Sequence, residues 1–515
     1  MNAIFDQINS FFEFIVPISD IMWDFPTNFA WYSSIPILGK FPLALIILIG
    51  GGIFFTFRLG FVQIKYFKEG IKILAKRKAI ETGVHPLTAF MFSSAMRIGP
   101  GNIMGVTGAI TVGGPGALFW MWVSAFFGMA TAFVESTMAQ IFKEKKGDEF
   151  VGGMPFYGKA LCGGKVWVGN LLAIILITAL LLNVPGQAFH MFTALGSIAD
   201  TVTGTTHERT SMVYYIIALI LVVSIPSIVF GGIRRVTKVT DILVPIMAVL
   251  YCVIAIVLIL VNIGTLPYVI GAIFSQAFTP DAMFGGAIGI AIIQGVRRGL
   301  MSNEAGQGTI TTAASISQND HPCEQGFVQS IGVFLDTMII CSLTGFLIIM
   351  AHVWTGDSAV WESISESRLS IYLTSIQQLV PGQAVDGIVM VFTALCYALF
   401  AFTSMLGMIT FSDVTVNRIT RSKGASFFIK ASGSLFLVPF GALCVLAGLE
   451  LGNIWYIADF TNILLVYANV PIILYGFTIV NKAYKHYQDS DGGRFISSEV
   501  LGFDTDFWGK DDKVN

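Results

Sequence analysis

Between Ser93 and Ile110 an apolar stretch is interrupted by Arg97-Ile98-Gly99-Pro100-Gly101-Asn102. The surrounding segment, 87–112, is long enough to cross a bilayer, so the interruption falls at membrane depth. Proline lacks an N–H and clashes with the preceding turn, while glycine tolerates non-helical dihedrals. Bare backbone groups in hydrocarbon cost several kcal/mol each, so a helix broken here must line a polar cavity rather than face lipid. The second half-helix begins near Gly101 or Asn102 and points its N–H groups and positive dipole end at that cavity, which suits a carboxylate. The carbonyls released around Ala95 to Ile98 are hard oxygen ligands suited to a small cation. One interruption thus offers an anion site and a cation site, as an amino acid moved with sodium requires. A proline kink repaired by neighbouring helices is the simpler alternative. The arginine beside Gly-Pro-Gly-Asn favours a binding site.

A second interruption reads Arg297-Arg298-Gly299-Leu300-Met301-Ser302-Asn303-Glu304-Ala305-Gly306-Gln307-Gly308. Elsewhere, Thr403 and Ser404 place two adjacent hydroxyls in mid-span, where back-bonding to the preceding turn is the common use. Arg97, Glu135, Arg297, Arg298, Glu304 and Asp336 are charges within spans, each a functional hypothesis with a partner to be found. For Glu135, Arg297, Arg298 and Asp336 structural pairing or a cytoplasmic gate network is the expected role. His190 and His321, near span ends, read as solvated, and Trp120-Met121-Trp122 as packing and interface anchoring. Cys162, Cys252, Cys323, Cys341, Cys396 and Cys444 are scattered without a CxxC pair, which argues against a disulfide framework and a zinc site. No GxxxxGK[ST] motif supports ATP-driven transport.

The elements that must hold these residues are membrane helices. The 515 residues are 55% hydrophobic and only 12% charged, about half the usual charged share of a soluble domain, and mean hydropathy is +0.75. The net charge of −2 says nothing about partners in such a chain, and no cleaved signal is visible. Residues 1–40 read as an aromatic interfacial segment. Spans are expected at 41–57, 87–112, 115–142, 166–190, 212–231, 241–262, 282–318, 326–352, 384–416, 425–448 and 453–481. The cations at 58–78, 143–159, 234–238, 418–423 and 482–485 all fall on one side, which puts the N-terminus outside and the C-terminus in the cytoplasm. Eleven spans divide into an extra helix, 41–57, a first repeat of five, 87–262, and a second, 282–481, within a transporter domain 41–482 followed by a cytoplasmic tail, 483–515. Five is odd, so the second repeat enters from the opposite side, and each repeat opens on an interrupted helix. That placement predicts an all-α integral membrane protein of the inverted-repeat transporter kind, with its site near the midplane. An enzyme would need a catalytic constellation at membrane depth and a channel a continuous polar stripe; neither is visible, and nothing points to nucleic acid or to an obligate protein partner.

Gly99-Pro-Gly-Asn-Ile103, Gly113-Gly-Pro-Gly-Ala-Leu-Phe-Trp-Met-Trp122, Gly128-Met-Ala-Thr-Ala-Phe-Val-Glu135, Arg298-Gly-Leu-Met-Ser-Asn-Glu-Ala-Gly306, His321-Pro-Cys-Glu-Gln-Gly326, Phe334-Leu-Asp-Thr337 and Ala401-Phe-Thr-Ser-Met-Leu-Gly407 together resemble the alanine/glycine:cation symporter family, over about residues 40–480. The resemblance implies the leucine-transporter (LeuT-type) 5+5 inverted repeat in the cell (inner) membrane. It implies symport of small neutral amino acids with sodium, and no bond made or broken. By position it implies a sodium site at the carbonyls of Ala95 and Ile98 with Thr403 and Ser404. The implied substrate site comprises Gly99, Pro100, Gly101, Asn102, Gln187, Ser302 and Asn303, and Arg97, Ser404 and Met408 are further candidates to line it. Three positions depart from the family pattern: Pro100 stands for the usual Thr, Met408 for the usual Trp, and Arg97 for a small or hydroxyl residue. The alternative is a sodium-independent exchanger or proton-coupled carrier in which Arg97 supplies the ion's charge.

Overall fold

The structure is a computed structural model, and it describes residues 14–36, 38–76, 81–209, 211–278, 288–351, 368–446 and 452–509. In chain order, α1 (Ile15–Asp24) precedes α2 (Leu43–Arg58) and α3 (Phe67–Ala75). The first interrupted helix is α4 (Pro86–Arg97) and α5 (Val106–Gly113), with a wide helical turn over Gly101–Gly105 between them. Next come α6 (Gly116–Ile141), a small hairpin of β1 (Glu144–Lys146) and β2 (Glu149–Val151), α7 (Met154–Leu161) and α8 (Val166–Thr203). They are followed by α9 (Met212–Val229), α10 (Ile233–Val261) and α11 (Leu266–Ala277). The second interrupted helix is α12 (Ile288–Asn303) and α13 (Ile310–Ser315). The rest is α14 (Pro322–Met350), α15 (Arg368–Leu379), α16 (Gln383–Val416), α17 (Lys423–Leu446), α18 (Gly452–Tyr475) and α19 (Phe477–Asp489).

Among the described residues, eight helices are long and apolar enough to cross a bilayer, and they fall on eight of the expected spans. The other three expected spans are the 16-residue α2 and the two interrupted helices. Boundaries moved where local chemistry overrode hydropathy. With 38 residues, α8 is about 57 Å long at 1.5 Å per residue, passing the expected stop at 190. It runs through Pro185 and ends at Gly204, whose φ of 66° makes a left-handed cap. Arg234, Arg235 and Lys238 lie on the first turns of α10 rather than in a loop. Helices α11 and α15 were not expected, and part of the expected 282–318 span lies outside the described residues.

The core is built by α8 packing along α16, and by α6 packing on α12 and α14. Between these layers the interrupted helices stand side by side, α12 touching both α5 and the Gly101–Gly105 turn. α1 lies against α18, where the buried Trp23 donates through Nε1 to Asp459 O at 2.9 Å.

Two expectations about polar groups are corrected. His321 is fully buried: its Nδ1 accepts from Cys323 N, and its ring stacks on His486. Burial, with His486 beside it, holds His321 well below the usual imidazole range, down to about 3. His190 is buried in α8 with the Tyr397 hydroxyl at 2.9 Å. The polar tail, in turn, is docked. Phe495, Leu501 and Trp508 are buried, and the Trp508 indole donates to Gln140 O at 2.7 Å. Lys143, fully buried at the end of α6, sits over the rings of Phe150, Phe507 and Trp508 and donates to Gln140 and to Ser317 O.

Candidate functional site

In the first break the chain leaves α4 at Ile98 (φ −77°, ψ 80°) and resumes helical geometry at Pro100. The break is largely closed by its own residues. Gly99 N donates to Arg97 O and to Asn102 Oδ1, and Asn102 N and Ile103 N donate to Gly99 O and Pro100 O. Gly99 also has to be glycine, because a Cβ there would lie 2.8 Å from Ser404 Oγ. With those amides occupied and Pro100 lacking one, few N–H groups remain for an anion.

The break faces a cavity of about 60 Å³, measured as space for the centre of a water molecule. Among the expected substrate residues Arg97, Gly99, Pro100, Gly101, Gln187, Ser404 and Met408 line it. Arg97, 1% exposed, reaches across to the second break. Its Nε donates to Asn303 O at 3.1 Å and its Nη1 to Gln329 Oε1 at 2.8 Å. Gly332 makes room for it, since a Cβ there would lie 2.0 Å from Nη1. Among the described residues Arg97 Nη2 has no hydrogen-bond partner, and neither does Gln187 Oε1 on the same cavity. Of the partners conceivable for this arginine, a neighbouring carbonyl is therefore present, while no carboxylate is in ion-pair contact with it among the described residues.

Asn102, Ser302 and Asn303 sit behind that wall. Each is at most 1% exposed and is turned to α14. Asn102 Nδ2 and Ser302 Oγ donate to the fully buried Asp336 carboxylate, as does Thr337, and Asn303 Nδ2 donates to Thr337 Oγ1 at 3.2 Å. Asp336 thereby ties both breaks to one helix.

For a cation, Ser404 Oγ lies 3.3 Å from Ala95 O, so α16 and the C-terminal end of α4 meet at the expected oxygen cluster. The negative end of the α4 dipole adds to the attraction for a cation there. Thr403 Oγ1 bonds to its own preceding turn, at Leu399 O and Phe400 O. Ile98 ends α4 beside them.

The second break is held by other helices. Gly306 and Gly308 take φ of 88° and 76°, a region glycine enters freely, and both their N–H groups donate to Glu135 of α6 at 3.2 Å. Asn469 of α18 donates to Glu135 and to Gly306 O. Glu135 thus holds backbone rather than a cation. Arg297 and Arg298 both pair with Asp459, at 2.7 and 2.8 Å, and Arg297 lies 4.8 Å from the Trp23 ring centroid. Arg297, Arg298 and Asp459 thus form a buried ion-pair network, the structural pairing expected of these two arginines.

Several lining residues had no sequence signal strong enough to single them out, among them Asn183, Gln307 and Asn462. Asn183 stands one turn from Gln187 on α8, a spacing that shares a face. Glu304 also lines the cavity, and the sequence marks it only as a charge within a span whose partner is open.

The sodium:alanine symporter family matches residues 30–495 of the chain. The amino-acid carrier protein AlsT of Bacillus subtilis is 34% identical, over 94% of this chain and 93% of its own length. The sodium/alanine symporter AgcS of Methanococcus maripaludis is 34% identical over 82% of this chain and 88% of its own. Among solved structures, MhsT in complex with L-phenylalanine superposes with a TM-score of 0.54 at 15% identity, covering 82% of this chain and 92% of that one. That likeness places the fold with the leucine-transporter type, and the relatives make this a multi-pass amino-acid transporter. The chain belongs to the sodium:alanine symporter family.

Proposed function

We propose that the protein is a sodium-coupled symporter of small neutral amino acids, with the amino acid held at the first break and sodium between α4 and α16. The observation that carries this reading is the meeting of Ser404 Oγ with Ala95 O beside a cavity that Arg97 lines with an unpartnered Nη2. Arg97 supplies the substrate carboxylate with the donor that Pro100 and the self-bonded amides do not, and a guanidinium–carboxylate contact is among the stronger hydrogen bonds. Gly99, Pro100 and Gly101 let the backbone approach the substrate, Gln187 and Met408 form the opposite walls, and Ile98 and Thr403 complete the ion's oxygen shell. Asn102, Ser302 and Asn303 act from behind, by fixing the two breaks to Asp336. The positive-inside rule places the N-terminus outside and the C-terminus in the cytoplasm of the cell membrane.

The test is uptake of a labelled amino-acid panel into proteoliposomes under an inward sodium gradient, a proton gradient, or neither. Accumulation of alanine that requires sodium supports the symporter. Accumulation driven by protons alone, or one-for-one exchange indifferent to sodium, replaces it with the carrier in which Arg97 stands in for the ion.

A further inference from the structure

Arg97 and Glu304 line one cavity with opposite charges and do not touch. Glu304 opens the second break with φ 57°, a left-handed conformation that is unfavourable for a residue with a Cβ. Its backbone is held there by Glu304 N to Leu300 O and by Gln307 N to Glu304 O, so the side chain is aimed by the break itself. Thr309 Oγ1 donates to Glu304 Oε2 at 2.6 Å, and Oε1 accepts from no group among the described residues. Gln187 Oε1, across the cavity, also lacks a donor. One enclosure therefore presents a guanidinium nitrogen without an acceptor, and two oxygen acceptors without a donor. A metal ion would satisfy the oxygens but not the arginine. A molecule carrying a carboxylate and an ammonium on one carbon offers a partner to both.

We propose that Glu304 is the receptor for the α-ammonium group of the transported amino acid, with Gln187 Oε1 accepting a second N–H, while Arg97 takes the carboxylate. The inference rests on the amino-acid reading above and adds to it that the site selects for the zwitterion. A 2-hydroxy acid of the same size, which offers Glu304 a neutral hydroxyl, is rejected.

The experiment is competition binding on the purified full-length protein in sodium, with labelled L-alanine displaced by unlabelled L-alanine or L-lactate. In the wild type alanine competes, and lactate does so only at far higher concentration. Glu304→Gln, which keeps an acceptor for Thr309 and removes the charge, weakens alanine by about 10- to 100-fold, the worth of one charge-assisted hydrogen bond. It also narrows the alanine-to-lactate ratio by a similar factor, which a merely structural residue would not do. Glu304→Asp withdraws the carboxylate by one methylene and improves N-methyl-L-alanine relative to alanine. This variant carries the test should Glu304→Gln lose its melting transition. An unchanged alanine-to-lactate ratio in Glu304→Gln, or an unchanged N-methylalanine ratio in Glu304→Asp, overturns the assignment. So does a change confined to sodium dependence. Failure of the wild type to bind any α-amino acid would instead remove the transport reading on which the inference stands.

Discussion

The two breaks solve the same problem in opposite ways. At the first, three residues leave the helix and their amides and carbonyls are taken up within the break, by Asn102 and by neighbouring backbone. At the second, Glu304 to Thr309 leave the helix; Glu304, Ala305 and Gln307 bond locally, but Gly306 and Gly308 at its centre are held from outside, by Glu135 of α6 and Asn469 of α18. A break that closes on itself leaves its surroundings free to serve a ligand. A break closed by other helices is a joint, since it cannot change shape without moving them. The first is therefore suited to recognition and the second to transmitting movement. Asp336, bonded to Asn102 and Ser302, is where the two are linked.

The sharpest way to break this distinction is Glu135→Ala. It strands two buried N–H groups and an Asn469 amide, each costing about 1–3 kcal/mol, so the folded, monodisperse protein should be largely lost in detergent. Glu135→Gln, which retains one acceptor, should lose less. A melting curve for Glu135→Ala that overlays the wild type would show that the second break needs no outside support.

Next in size is Arg97→Ala, expected to weaken alanine binding by about 100-fold, in line with the ~2–5 kcal/mol that truncating one side of a buried charged pair costs. If instead affinity holds and the melting temperature falls, Arg97 belongs with the structural groups, and the first break is also a joint. Because Nε and Nη1 hold Asn303 O and Gln329, some loss of stability is expected in any case, and the binding measurement decides.

A smaller effect is expected for Thr403→Val combined with Ser404→Ala. The sodium concentration for half-maximal uptake should rise about 10-fold, the scale of one or two lost oxygen contacts at ~1 kcal/mol each. Ser404→Ala alone should account for most of it, since Ser404 meets Ala95 O while Thr403 bonds its own turn. An unaltered sodium dependence would move the ion away from the first break. Smallest is Met408→Trp. The flexible thioether leaves an adaptable wall, so filling it should narrow the substrate range toward alanine and change alanine affinity only a few-fold. An indifferent substrate profile would take Met408 off the substrate's wall.

The membrane spans and the first break were legible because hydropathy runs and Gly-Pro-Gly are local signals. The extent of α8 was not, since residues 191–203 are too mixed to read as a span and yet contain nothing that ends a helix. At the site, residue types were legible and directions were not. Asn102 looked like a ligand-binding amide, yet its Nδ2 is used by Asp336, 234 positions away. Arg97 ends on Gln329, 232 positions on, and no spacing within α4 announces that partner. Asn462 sits in a helix whose sequence reads as plain membrane span. Glu304 was visible, but an acid opposite a buried arginine reads from sequence as its salt-bridge partner. Only their separation across a cavity shows that something else belongs between them.

The docking of Phe495 to Trp508 has a bearing on how the protein is made. Those residues leave the ribosome after every helix from α1 to α19, yet the indole of Trp508 and the ring of Phe507 complete the box around Lys143, which was translated more than 350 residues earlier. Until they arrive, the C-terminal end of α6 carries a lysine lacking two of the three rings that will enclose it. Insertion of these helices and the closure of that box are thus separate events in time.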